Sequence, residues 1–182
     1  MLFLGACLDG PAVCYVTAFI PGGNLYELLK KEAVLGWPKK LGIAIEIARG
    51  MQYLHAHKVL HGDLKSLNLL VDENYHIKVA DFGLSKIIED TPTDTAEPHS
   101  GGTRRKYKGT LTWQGPEVVN EASEYTEKSD IYSFGIVLWE LVSHRAPYEG
   151  IDSITVLRYI DQVSHHSLRV CKVLVLIRCA LG

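Results

Sequence analysis

Between His61 and Asn68 the chain reads His-Gly-Asp-Leu-Lys-Ser-Leu-Asn, and thirteen residues after Asn68 comes Asp81-Phe82-Gly83. Four side chains in this stretch carry usable chemistry. Asp63 offers a carboxylate that can take a hydroxyl proton, and Lys65 an ammonium that can stabilise negative charge on a moving group. Asn68 and Asp81 offer hard oxygen donors of the kind Mg²⁺ prefers. Transfer of a phosphoryl group asks a protein for little beyond positioned charges and metal ligands of this sort. Taken singly, each is an ordinary loop residue capping its own backbone. The set, in this order and spacing, carries the reading.

Such residues need a rigid frame. Val59-Leu60, Leu69–Val71 and Ile77–Val79 read as short β segments, the last two joined by a turn at Asp72-Glu73-Asn74. Asp63 falls in the loop between them. Upstream, two apolar runs at 2–7 and 13–20 flank Asp9-Gly10-Pro11 and read as a strand pair. Pro21-Gly22-Gly23 breaks the second strand, and Asn24 can cap a short helix reaching about Lys31. Pro38 suits the first turn of a long helix to about His57. Its apolar positions Leu41, Ala44, Ile45, Ala48, Met51 and Leu54 recur at helical spacing and are expected to form its core face. Residues 89–109 turn to Thr, Pro, Ser, Gly and basic residues, the composition of a loop. The strongly apolar stretch 129–143, with Ile131, Phe134, Ile136, Val137, Leu138, Trp139 and Leu141, reads as a helix buried on most sides.

The loop His61–Asn68 followed by Asp81-Phe82-Gly83 resembles the catalytic core of eukaryotic protein kinases, His-Arg-Asp-x-x-x-x-Asn followed by Asp-Phe-Gly. Gly62 stands where that family usually has arginine. Further matches follow in order. Gly109-Thr110-Leu111-Thr112-Trp113-Gln114-Gly115-Pro116-Glu117 resembles the segment ending in Ala-Pro-Glu, and Asp130-Ile131-Tyr132-Ser133-Phe134-Gly135 the start of the buried central helix. Ala146-Pro147-Tyr148-Glu149-Gly150 resembles the loop after it. The closest likeness is to the tyrosine-kinase-like group of serine/threonine kinases, from Asp63-Leu64-Lys65-Ser66-Leu67-Asn68, Trp113 and the run Ser133 to Glu140.

The resemblance implies an α+β, protein-kinase-like fold, mainly the helical C-lobe with hinge strands, the N-lobe being largely absent. It implies ATP and Mg²⁺ as cofactors and a protein substrate bearing Ser or Thr. By the same resemblance Asp63 is the base, Lys65 and Thr110 assist it, and Asn68 and Asp81 hold the metal. Thr17 is the gatekeeper, the backbone of Ala18 and Ile20 reads the adenine edge, Asn24 approaches the ribose, and Leu70 floors the base. The segment from Asp81 to Glu117 is the activation segment by position. It carries Thr91, Thr93, Thr95, Ser100 and Thr103 ahead of Arg104, Arg105, Lys106 and Lys108. Because Gly62 replaces the arginine that receives phosphate in the family, weak control by loop phosphorylation is expected. Asp130 is expected to brace the catalytic loop, a buried carboxylate that must be well hydrogen-bonded.

At 182 residues, 47% hydrophobic and 22% charged, the composition is that of one globular domain. A formal net charge of −2 gives no footprint for nucleic acid. No run of 18 apolar residues marks a membrane span. Cys7, Cys14, Cys171 and Cys179 show no Cys-x-x-Cys pairing, which fits reduced thiols in a cytoplasmic protein. The family's glycine-rich loop and strand lysine have no counterpart before Lys30, and the likeness fades after about Thr155. The expected division is 1–155 as a partial kinase domain and 156–182 as a divergent apolar tail. Glu117 then has Arg169 and Arg178 as candidate partners. Two alternatives stand beside catalysis: a lobe that docks partners without turnover, and a fragment without function.

Overall fold

The computed structural model describes residues 3–7, 14–32, 34–88, 110–120 and 124–165. Nearly half of these are α-helical: α1 (Leu25–Lys31), α2 (Trp37–Ala56), α3 (Pro116–Val119), α4 (Glu127–Ser143) and α5 (Ser153–His165). The strands are β1 (Phe3–Cys7), β2 (Cys14–Thr17), β3 (Val59–Leu60), β4 (Leu69–Val71), β5 (Ile77–Val79) and β6 (Lys86–Ile87). They pair as three antiparallel ribbons, β1–β2, β3–β6 and β4–β5. The result is a mixed α and β body. β2 ends at Thr17, three residues earlier than the apolar run implied; there it pairs with Phe3, the first described residue of its partner strand. The expected turn at Asp9-Gly10-Pro11 lies outside the described residues.

The β4–β5 hairpin shows how sequence alternation becomes a site. Its register pairs Leu69 with Val79, Leu70 with Lys78 and Val71 with Ile77. Leu69, Val71, Ile77 and Val79 point into the core, so Leu70 and Lys78 take the opposite face. Asp72 closes the turn by accepting the backbone N–H of Asn74 at 2.8 Å and of His76 at 2.9 Å. This is the local bonding that makes aspartate a turn former.

α1 begins where Asn24 Oδ1 accepts the N–H of Glu27 at 2.9 Å, the cap its sequence announced. α2 carries Pro38 in its first turn. Its buried residues are Ile43, Ile47 and Met51, with Ala44 and Leu54 packed alongside. The expected core face is therefore corrected: Ile45 is 42% exposed, and Ala48 also faces out. α2 has apolar residues on more than one stripe, and the stripe that meets β5 and α4 is the one through Ile43, Ile47 and Met51.

α4 starts at Glu127, where Ser129 Oγ accepts the N–H of Thr126 at 3.3 Å. It runs through the core with Val137 and Leu141 almost fully buried, each such side chain worth about 1.5–3 kcal/mol of burial. Ile131, expected inside, is 56% exposed on its outer stripe. α5 crosses the boundary expected at 155 and buries Val156 and Ile160. Residues 166–182, including Arg169, Cys171, Arg178 and Cys179, lie outside the described part.

Candidate active site

The loop after β3 is anchored before any of its reactive groups is positioned. Asp130, on the first turn of α4 and 1% exposed, reaches back to it. Its Oδ2 accepts the N–H of His61 at 2.9 Å and its Oδ1 that of Gly62 at 3.2 Å. Tyr125 donates its hydroxyl to Oδ1 at 2.5 Å, and His55 Nε2 meets Oδ2 at 2.8 Å. A buried carboxylate so supplied with donors is tolerated, and it fixes two consecutive peptide groups of the loop. Gly62 has φ +84°, a left-handed conformation that a side chain makes costly.

His61 is fully buried and clamps the loop against the end of β5. Its Nδ1 accepts the N–H of Asp63 at 3.2 Å, so Nε2 carries the proton and donates to the Ala80 carbonyl at 3.0 Å. Burial pushes its imidazole below the ordinary value of 6.5, against the pull of the Ala80 bond, Asp130 and the carboxylates of Asp63 and Asp81. The neutral ring is thus the structural one. Phe82 stacks obliquely on it, with ring centroids 5.4 Å apart.

Around Asp63 the expected residues converge. Lys65 Nζ donates to Asp63 Oδ2 at 2.5 Å and to Thr110 Oγ1 at 2.7 Å. Thr110 in turn donates to Asp63 Oδ1, from its N–H at 3.1 Å and its hydroxyl at 3.3 Å. Asn68 Nδ2 donates to the Asp63 carbonyl at 2.8 Å and to Oδ2 at 3.2 Å. Residues separated by 45 positions in the chain form one ring of hydrogen bonds about a single carboxylate.

Asn68 spends its amide N–H groups on Asp63, which leaves its carbonyl oxygen as the acceptor. The Ala80 N–H donates to the Asn68 backbone oxygen at 2.9 Å, which places Asp81 two residues beyond the Leu69–Val79 pair that ends the β4–β5 ladder. Asp81 is exposed, sits at φ +61°, and accepts the Gly83 N–H at 3.3 Å. An amide oxygen and an exposed carboxylate fit a hard divalent cation that takes its other ligands from phosphate and water.

A separate cleft of about 360 Å³ is lined by Thr17, Ala18, Phe19, Ile20, Gly23, Asn24 and Leu70. The five residues expected around an adenine thus share one cavity. Leu70 lies on the face of β4 opposite the core, and an antiparallel bridge joins it to Asn24. Gly22 makes the close approach feasible, since a Cβ there would stand 2.2 Å from the Val71 carbonyl oxygen. Asn24 uses Oδ1 for its helix cap, a bond that does not engage its amide N–H groups.

Sequence reasoning missed Glu140 and Ser66. Glu140, 1% exposed in α4, accepts Ser66 Oγ at 2.7 Å and Trp113 Nε1 at 2.8 Å. It thereby ties the loop holding Lys65 to the segment holding Thr110. Burial raises its carboxyl to about 7, although the Trp113 and Ser66 bonds pull the other way. The signal was present: a glutamate inside the apolar run 136–141 must find donors. The activation-segment Thr, Ser, Arg and Lys residues between 91 and 108 lie outside the described residues.

The sequence matches a family model described as protein tyrosine and serine/threonine kinase over residues 1–172. It is 45% identical over 148 residues to the serine/threonine-protein kinase STY46 of Arabidopsis thaliana, covering 81% of this chain and 24% of that protein. Two Dictyostelium discoideum proteins, "Probable serine/threonine-protein kinase drkB" and "drkA", are 44% and 45% identical over 158 residues. Those matches cover 85% of this chain and 21% and 23% of the relatives. The chain therefore spans about a quarter or less of the length of these curated relatives. With the match over nearly its whole length, it belongs to the protein tyrosine and serine/threonine kinase family.

Proposed function

We propose that this chain contributes ATP-dependent phosphoryl transfer to serine or threonine hydroxyls of a protein substrate in the cytoplasm. The observation that supports it most is the Asp63 carboxylate, held between Lys65, Thr110 and Asn68. Its lone pairs are directed by those donors, and the longest bond, from the Thr110 hydroxyl at 3.3 Å, is the one an incoming substrate hydroxyl would displace. Asp63 then orients that hydroxyl and takes its proton. Lys65 lies within hydrogen-bond reach of Asp63 and would face the negative charge of the group in transit. The Thr17–Leu70 cleft would hold the adenine, with Ala18 and Ile20 offering backbone groups and Asn24 its amide to the ribose.

Asn68 and Asp81 would hold Mg²⁺, which when bound neutralises phosphate charge. Peptide phosphorylation by the purified chain, with and without Mg²⁺ and beside Asp81→Ala, tests the proposal. Transfer that needs Mg²⁺ and is lost in Asp81→Ala supports it. Equal signals from both proteins refute it.

A further inference from the structure

We propose that Cys7 and Cys14 form a thiol–disulfide exchange site that closes into an intrachain disulfide across the β1–β2 hairpin. The ladder pairs Phe3 with Thr17, Gly5 with Val16, Ala6 with Tyr15 and Cys7 with Cys14. The two cysteines are therefore directly opposite one another, on the same face of the ribbon. Side chains so placed have Cβ atoms about 4.5–5.5 Å apart, and a disulfide needs about 3.5–4.5 Å with Cα atoms about 4.4–6.8 Å apart. Closure thus requires rotation about the side-chain bonds and a small local adjustment. Both residues carry thiols and both are exposed, so a small disulfide can reach them.

The exchange balances with a small-molecule disulfide such as oxidised glutathione. One cysteine thiolate attacks the disulfide, its S–S bond breaks, and one small thiol leaves with a proton. The second cysteine thiolate attacks the protein sulfur of the mixed disulfide and expels the second small thiol. Two protein thiols are oxidised by two electrons, and one small disulfide becomes two thiols. The pair sits at the end of the ladder remote from Thr17, so the bond ties β2 to β1 while leaving the cleft residues Thr17 to Asn24 unblocked. A thiol pair of this kind has the reversible character of redox-sensing cysteines.

The test incubates the unaltered chain with reduced and oxidised glutathione, native and in denaturing urea, and maps the peptides without reduction. The expected result is a peptide linked Cys7 to Cys14, lighter by two hydrogens, with a closure constant at least about tenfold larger in the native chain than in urea. Cys7→Ser and Cys14→Ser should each stall as a mixed disulfide at the remaining cysteine of the pair. Stable glutathione adducts at both cysteines of the unaltered chain would overturn the proposal. So would links between chains, or equal closure in native and denatured chains.

Discussion

Replacing Glu140 by glutamine should remove a pH dependence from the stability of the fold. In the native chain its carboxyl titrates at about 7, against an ordinary value of 4.5, because it is buried. Below pH 4.5 it is protonated in both folded and unfolded chains. Between 4.5 and 7 the unfolded chain releases the proton while the folded chain keeps it, so stability falls as pH rises. Above 7 both are ionised and the loss is complete. At about 1.36 kcal/mol per pH unit, the loss comes to about 3 kcal/mol.

Glutamine keeps the geometry without the titration. Its Oε1 can accept Trp113 Nε1, which only donates, and its amide can donate to Ser66 Oγ, which can reverse its role. His61 works in the opposite sense, since its depressed imidazole favours the fold above 6.5 and loses that contribution as pH falls. That contribution is common to both proteins and cancels in their difference. Urea unfolding of the two proteins in steps from pH 4.5 to 8 gives the comparison. The difference between them should grow by about 3 kcal/mol in favour of glutamine across that range. Parallel curves would refute the assignment of a burial-raised carboxyl to Glu140.

Three further substitutions probe the frame of the site. Gly62→Ala forces a side chain into φ +84° and should cost about 1–2 kcal/mol in urea unfolding; an unchanged midpoint would contradict the left-handed loop. Gln114 Nε2 is buried without a hydrogen-bond partner among the described residues. Gln114→Met should therefore raise stability by about 1–3 kcal/mol, the cost of an unsatisfied buried donor, and a drop would mean that the amide is bonded. Asp130→Ala leaves the N–H groups of His61 and Gly62 and the Tyr125 hydroxyl without their acceptor. It should destabilise by about 3–5 kcal/mol, and faster hydrogen exchange at His61 and Gly62 is the accompanying sign.

The chemistry-bearing residues were legible because their spacing is short and their types are restrictive. Asp63, Lys65 and Asn68 lie within six residues, and the hairpin that carries Asn68 toward Asp81 is announced by alternation and an aspartate turn. Thr110, 47 residues from Asp63, was placed by resemblance alone, and its bonds to Asp63 are a tertiary fact. The inward face of α2 was misread because Ile43, Ile45 and Ile47 are equally apolar, and only contact with β5 and α4 decides among them. Glu140 went unassigned for a related reason. Its partners, Ser66 and Trp113, are 74 and 27 residues away, and nothing local names them. The β3–β6 pairing was equally invisible, since two-residue strands carry no periodicity.

The central claim, that the bonded ring around Asp63 serves phosphoryl transfer, is tested most directly by single-turnover transfer from γ-labelled ATP to a Ser/Thr peptide. The measurement compares the unaltered chain with Asp63→Asn, with ATP affinity measured on both. Asparagine keeps the size of the side chain and some of its bonds but cannot take a proton. The account predicts unchanged ATP affinity and a transfer rate lower by about 10²–10⁴-fold. Equal transfer rates in the two proteins would contradict it.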